Sequence, residues 1–523
     1  MILEENTFQG LFQSSFSKGK ADILWEHYDE TLIAQYTYGE YYSHILGMAK
    51  SLSNKLSDIP ADSWIGIKLP NQPLWSALFW ACLYAGYNIF ILDNACNDKY
   101  LGNVSKNSGI KAIITSDDPK LDGVTFVSGQ EIIDSSMEEE WISPNRFADK
   151  IALGTSGTTG TPKIFVHTGK SICAQINNIM ERYAELDKLH FLLQQGEKNM
   201  FTMFPNHHIA ALMSNIIYER LHGKVVTVEK NTITSITEAI KRGNVQIAYS
   251  VPMVWDSIVK NILKKHGSVN KELFQSIVGN NLKFVIMGAA RASAETMSLL
   301  NDAGIFSSQA YGMTEIGSLT SNVCSLISDR TDGCVGSVNS EVYQAMLYLE
   351  DGSIAEEGIG ELMVSGDIIY EYMLIDGKEI KPELFMNKYF LTGDRVEIRQ
   401  KKLYILGRNK DVIVNNSGEN IYPDELEEYF AKLTADAERM VILGVKEKPV
   451  MVLKLKDDHT LDDSVIVNIC NYNKKLPVYK RIRAVYKTSK EIPVTSSGKV
   501  KKLLIRTEIE DGNNNYQQIE MKG

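Results

Sequence analysis

Two rhythms of apolar and polar residues run along this chain. In residues 37–52, Tyr41, Ile45, Met48 and Leu52 recur near the helical period, behind a Thr37 and Glu40 spaced as a capping box. The pattern predicts an amphipathic helix with one face on a sheet. Residues 64–69, 87–92 and 111–115 are short apolar runs of strand type, and 74–86 is a longer apolar run opening after Pro73. That run is about half of what a bilayer span needs, so it predicts a buried helix. Short buried strands alternating with helices predict a parallel sheet covered on both faces.

The alternation continues to about residue 325 and then changes character. Residues 335–406 break into short β-rich pieces separated by Gly and Asp, which predicts an antiparallel or barrel-like segment. Past Gly407 a small α+β unit begins, with Pro423 at a helix N1, Asp424 and Glu425 in its first turn, and strands near 440–445 and 450–456. The expected division is a large domain, 1–407, and a small one, 408–523.

At 523 residues the chain exceeds one ordinary core, and 44% hydrophobic with 23% charged residues is globular composition. A formal charge of -10 argues against a nucleic-acid binder, which needs a basic face to release counterions. The first residues lack the apolar segment of a secretory signal, so a cytoplasmic enzyme without a membrane span is expected. Cys82, Cys96, Cys173, Cys324, Cys334 and Cys470 are far apart and form no CxxC, which predicts reduced thiols rather than a metal site or disulfide framework.

The strongest local signal is Gly154-Thr155-Ser156-Gly157-Thr158-Thr159-Gly160-Thr161-Pro162-Lys163. Its glycines let backbone N–H groups converge, its hydroxyls add donors and Lys163 adds a charge, which together suit a polyphosphate. It is not a Walker loop, because Lys163 follows Pro162 and precedes Ile164.

This loop resembles the signature of the adenylate-forming superfamily of acyl-CoA synthetases, luciferases and peptide-synthetase adenylation domains, and is closest in wording to the acyl-CoA synthetases. Further segments resemble that family in its own order, over about residues 37–503. Phe204-Pro205-Asn206-His207-His208 resembles the motif that borders the carboxylate pocket. Gly288-Ala289-Ala290 resembles the adenine-facing strand end, and Tyr311-Gly312-Met313-Thr314-Glu315 the segment that stacks adenine, bonds the α-phosphate through Thr314 and holds magnesium through Glu315. Asp394 and Arg408 match the ribose contacts, Lys410 the interdomain hinge, Gly418 the thiol tunnel and Lys499 the essential C-terminal cation.

The resemblance implies a fold with two αβαβα-type sheet subdomains and a distorted β-barrel in the large domain, and a small, mobile α+β C-terminal domain. It also implies a two-step reaction: ATP and a carboxylic acid give acyl-AMP and pyrophosphate, then the acyl group passes to a thiol. Gly418-Glu419-Asn420-Ile421-Tyr422-Pro423 is wording typical of CoA ligases, so CoA is the expected acceptor. The alternative acceptor is a carrier-protein phosphopantetheine, and the basic run Lys474, Lys475, Lys480, Arg481 and Arg483 suits either an acidic carrier or a solvated face. Ile209 stands after His208, where amino-acid-activating relatives place Asp, which disfavours an α-amino acid. Ile209, Ala210, Ala211, Met253, Met287, Met313 and Ile316 are the expected lining for an aliphatic or aromatic acid.

Overall fold

A computed structural model describes residues 6–17, 19–117, 121–137, 140–155, 163–184, 198–321, 327–414, 420–434, 437–455, 463–494 and 499–521. It divides into two compact units, Met1–Ala345 with Val364–Phe390, and Met346–Met363 with Leu391–Gly523.

In the first unit, the strands in chain order are β1 (Ile23–Asp29), β2 (Thr31–Thr37), β3 (Trp64–Lys68), β4 (Asn88–Ile91), β5 (Ala112–Thr115), β6 (Thr125–Ser128), β7 (Lys150–Thr155) and β8 (Lys163–Thr168). They continue as β9 (Asn199–Thr202), β10 (Lys224–Val228), β11 (Ile247–Ser250), β12 (Phe284–Met287), β13 (Phe306–Met313) and β14 (Gly317–Ser321). One eight-stranded sheet has the order Lys378–Ile380, Tyr372–Ile375, β8, β7, β4, β3, β5, β6, and a second runs β14, β13, β12, β11, β9, β10, β1, β2. The centres of both sheets are parallel, as the buried runs require. Their borders differ from the all-parallel expectation: β7 with β8, β13 with β14 and β1 with β2 pair antiparallel. Each of those pairs follows directly in sequence, so a hairpin replaces the helical crossover that a parallel pair needs.

The predicted first amphipathic helix forms as Tyr38–Lys55, and its capping box is complete: Glu40 N donates to Thr37 Oγ1 at 3.2 Å and Thr37 N to Glu40 Oε2 at 2.8 Å. The continuous apolar segment becomes the helix Trp75–Tyr84, buried all round because the helix Phe8–Phe16 and the helix Tyr38–Lys55 pack on it. No described helix is long and apolar enough to cross a membrane.

The second unit carries the antiparallel hairpin Phe390–Arg399 with Lys402–Arg408 and a separate four-stranded sheet built on Arg439–Val445, Lys448–Lys454, Ala484–Thr488 and Gln517–Ile519. Pro423 opens the helix Pro423–Phe430 with Asp424 and Glu425 in its first turn, as read from sequence. Lys446 and Glu447 alone turn the chain between two strands, both at positive φ of 49° and 61°.

Candidate active site

Phosphate-loop residues Ser156, Gly157, Thr158, Thr159 and Gly160 lie outside the described residues, as does Gly418. The flanks of the loop are described: Thr155 ends β7, Lys163 opens β8, and the two are direct antiparallel partners. The loop therefore closes a hairpin whose ends are held together by ladder bonds. A Cβ on Gly154 would come within 2.6 Å of the Tyr100 hydroxyl, so any side chain there would displace that phenol.

The segment Tyr311–Glu315 is locked by a residue that sequence reasoning passed over. His167 on β8 is fully buried, and its Nε2 donates to Thr314 O at 2.8 Å while Nδ1 accepts from Gln175 Nε2 at 3.3 Å. Burial pushes the imidazole down to about 4, so it is neutral and its one N–H belongs to Nε2. Tyr370 N donates to Glu315 O at 2.9 Å, which fixes the other end of the turn. Gly312 and Gly317 allow the close approach: a Cβ on Gly312 would come within 2.3 Å of Gly317 O, and one on Gly317 within 2.2 Å of Gln175 Oε1.

The Phe204–His208 segment is clamped from the other sheet. Asn71, in the loop after β3, donates to Phe204 O and accepts from Asn206 N, each at 2.9 Å. His208 is the N-cap of the helix Ile209–Arg220, its ring packs on His207 with centroids 4.3 Å apart, and His207 Nε2 lies 3.7 Å from Asp93. Burial holds the His207 imidazole below its usual range against the pull of Asp93.

Beneath that N-cap a small cavity, partly open to solvent, is wedged between the helix Gly169–Ala184, the helix Ile209–Arg220 and one face of the second sheet. Ala210, Met213, Ser214 and Ile217 line it from one helix, and Asn178, Ile179, Arg182 and Tyr183 from the other. The sheet contributes Tyr249, Ile286, Ala310 and residues 318–320. Of the residues expected to line an acid pocket, only Ala210 lines this cavity. Strand alternation puts Ile286 on the cavity face and Met287 in the core on the opposite face, Met253 is 70% exposed, and Ile209, Ala211 and Ile316 are packed in buried positions away from it. Met313 does not line it either. Gly288 follows directly on β12, and a Cβ there would lie 3.3 Å from the Tyr249 hydroxyl; Ala289 beyond it sits at φ 68°, and Ala290 is exposed.

In the second unit, Asp394 is buried at 5% exposure, faces Arg408 in the ladder, and lies 3.3 Å from Arg408 Nε. Glu361, also missed in sequence, accepts from Gly393 N at 3.0 Å and fixes that turn; burial raises its carboxyl while the Gly393 N–H and Asn409 draw it back. Lys410 is exposed on the short turn Asn409–Asp411, and Lys499 is exposed beside the Val494 to Val500 bridge. In the basic run, Lys480 pairs with Glu425, Arg481 donates to Leu476 O and Lys474 O, and Arg483 to Val478 O, so these cations serve local structure.

Parallel-centred α/β sheets, an antiparallel strand pair flanking the glycine-rich loop and a largely apolar cavity are the features of a small-molecule enzyme of the α/β class. The chain belongs to the AMP-binding enzyme family, whose model matches residues 26–372. It is similar to 2-succinylbenzoate–CoA ligase of Listeria monocytogenes, 24% identical over 471 residues, covering 88% of this chain and 93% of that one. It is also 25% identical over 450 residues to 4-coumarate-CoA ligase 2 of Narcissus pseudonarcissus, covering 82% and 75%. The solved o-succinylbenzoate CoA synthetase of Bacillus subtilis, in complex with its acyl-adenylate intermediate, matches with a TM-score of 0.77 at 19% identity over 95% of this chain and 97% of that one. The same enzyme has been solved with ATP and a magnesium ion, with a TM-score of 0.75, 19% identity and 94% and 98% coverage. The fold is thus that of the adenylate-forming enzymes, with large N-terminal and smaller C-terminal parts.

Proposed function

We propose that this chain is an ATP-dependent acid–thiol ligase that activates a non-α-amino carboxylic acid as acyl-AMP, releases pyrophosphate and transfers the acyl group to CoA. One observation carries the reading: the His208, Gly288 and Tyr311 segments, far apart in sequence, border one cavity. Ala210 lines it two residues after His208, Tyr249 lines it against Gly288, and Ala310 precedes Tyr311. The names of the relatives, which act on aryl acids and CoA, support the same chemistry.

In the first step a carboxylate oxygen attacks the α-phosphorus of ATP. Both groups are anionic, so cations and N–H donors must neutralise their repulsion. Lys163 and the 155–160 loop amides take the β- and γ-phosphates, Thr314 the α-phosphate, Tyr311 with Gly312, Met313 and residues 288–290 the adenine, and Asp394 with Arg408 the ribose. His208 borders the acid's carboxylate and Lys499 supplies the cation opposite it. Glu315 would hold magnesium: a carboxylate on a turn already fixed through its own main chain and that of Thr314 is a hard oxygen donor of the kind this ion takes. When bound, magnesium neutralises phosphate charge. For the thiol step, the domain from residue 408 turns about Lys410 and brings Gly418 over the pantetheine arm. The two-residue turn at Lys446 and Glu447 keeps that domain small, and a carrier-protein thiol is the alternative acceptor.

The test is pyrophosphate release with MgATP across a panel of aliphatic and aromatic acids, followed by mass spectrometry with CoA or a holo-carrier protein. Acyl-CoA formation is expected. Bound ATP with no pyrophosphate from any acid overturns the reading, and thioester on the carrier alone moves the acceptor.

A further inference from the structure

Three tyrosines gather at the cavity, and adenylate formation uses none of them. Tyr183 and Tyr249 line it. Tyr218, next to the lining Ile217, is 1% exposed and its hydroxyl has no hydrogen-bond partner among the described residues. Nor does either lining phenol donate to a described residue. Most other donors there are committed: Asn178 Nδ2 donates to Ser318 O and Leu319 O at 2.8 and 2.9 Å, Ser214 Oγ to Ala211 O at 2.9 Å, Thr320 Oγ1 to Val335 O at 2.8 Å, and Arg182 Nη2 to Asn339 O.

An apolar slot needs no hydroxyl, and buried phenols in proteins ordinarily find an acceptor. Tyr249 lies against Gly288, whereas Tyr183 stands in the last turn of the helix Gly169–Ala184. Along the facing helix, Ala210 to Ile217 spans seven residues, or about 10 Å at 1.5 Å per residue.

Resting on the ligase reading above, we propose that the acid is short or monocyclic and carries an acceptor oxygen, a carbonyl or a second carboxylate, at the end remote from the activated carboxyl, and that Tyr183 donates to it. Tyr183 is then the residue that separates this acid from a plain fatty or aryl acid of the same length. A site built to hydrogen-bond a substrate discriminates strongly against the analogue lacking that group, because its own polar atoms are left unpaired.

Three acids of one length test this: heptanoate, 6-oxoheptanoate and heptanedioate. The wild-type enzyme is expected to show kcat/KM for pyrophosphate release about 10-fold higher for at least one oxygen-bearing acid than for heptanoate, a ratio equal to ~1.4 kcal/mol. Tyr183→Phe should bring that ratio to about 1. A preference for 6-oxoheptanoate identifies a carbonyl, and one for heptanedioate a carboxylate. Equal values for the three acids, or a preference that survives in Tyr183→Phe, overturns the inference. Calorimetric binding of the same acids gives the same comparison without turnover, so a failure of the ligase reading, no pyrophosphate from any acid, stays distinguishable. The variant removes a hydroxyl with no described partner and keeps the ring, and an unchanged thermal midpoint verifies that it folds.

Discussion

Replacing Glu219 by glutamine isolates the energetic cost of one buried carboxylate. Glu219 is fully buried on the helix Ile209–Arg220 and accepts from Ser76 Oγ at 2.5 Å and Trp80 Nε1 at 2.7 Å, both on or beside the helix that covers the first sheet. Burial raises its carboxyl from 4.5 to about 7 even though both donors favour the anion. Because the folded value lies above the unfolded one, the folded chain holds the proton more tightly. Stability from this group is therefore complete below about pH 4.5 and is lost as pH rises through 7. At 1.36 kcal/mol per pH unit, the loss reaches about 3 kcal/mol above pH 8. Glutamine keeps an oxygen for Trp80 and an amide for Ser76 but cannot ionise. Urea unfolding of both proteins from pH 5 to 8.5 should show the variant gaining about 3 kcal/mol relative to wild type across that range. A difference between the two that stays flat with pH refutes the reasoning, since it would mean the carboxyl titrates alike folded and unfolded.

Lys499→Ala should cut acyl-AMP formation by about 10² to 10³-fold while supplied acyl-AMP still reacts with CoA near the wild-type rate; stopped-flow assays of each half-reaction compare them, and equal loss in both counts against a role confined to the first. His167→Phe removes the donor to Thr314 O, so KM for MgATP should rise about 10-fold. Since the folded imidazole titrates near 4, below its usual 6.5, it contributes stability above pH 6.5 that wanes as pH falls toward 4, and thermal midpoints of the variant should lose that acid-side decline. Asn71→Ala frees Phe204 O and Asn206 N and should cost about 1–3 kcal/mol of stability, with kcat/KM for the acid falling more than that for ATP in steady-state assays; equal falls would assign Asn71 to the fold alone.

Sequence alone determined what depends on neighbours along the chain. The Thr37 capping box, the apolar helix after Pro73 and the Pro423 helix start are local chemistry, legible from spacing and side-chain type. The family motifs were legible too, because short contiguous segments carry them. Tertiary structure decided which of these segments meet and which face each strand turns to the cavity. Ile286 rather than Met287 points at the pocket, His167 rather than any motif residue locks Thr314, and Asn71 reaches across from the other sheet to hold Phe204. Those pairings join residues separated by more than a hundred positions, as with His167 and Thr314 or Asn71 and Phe204. No periodicity encodes them. They follow from how two twisted sheets and their cover helices close around the space between, where a one-residue shift along a strand exchanges core for cavity.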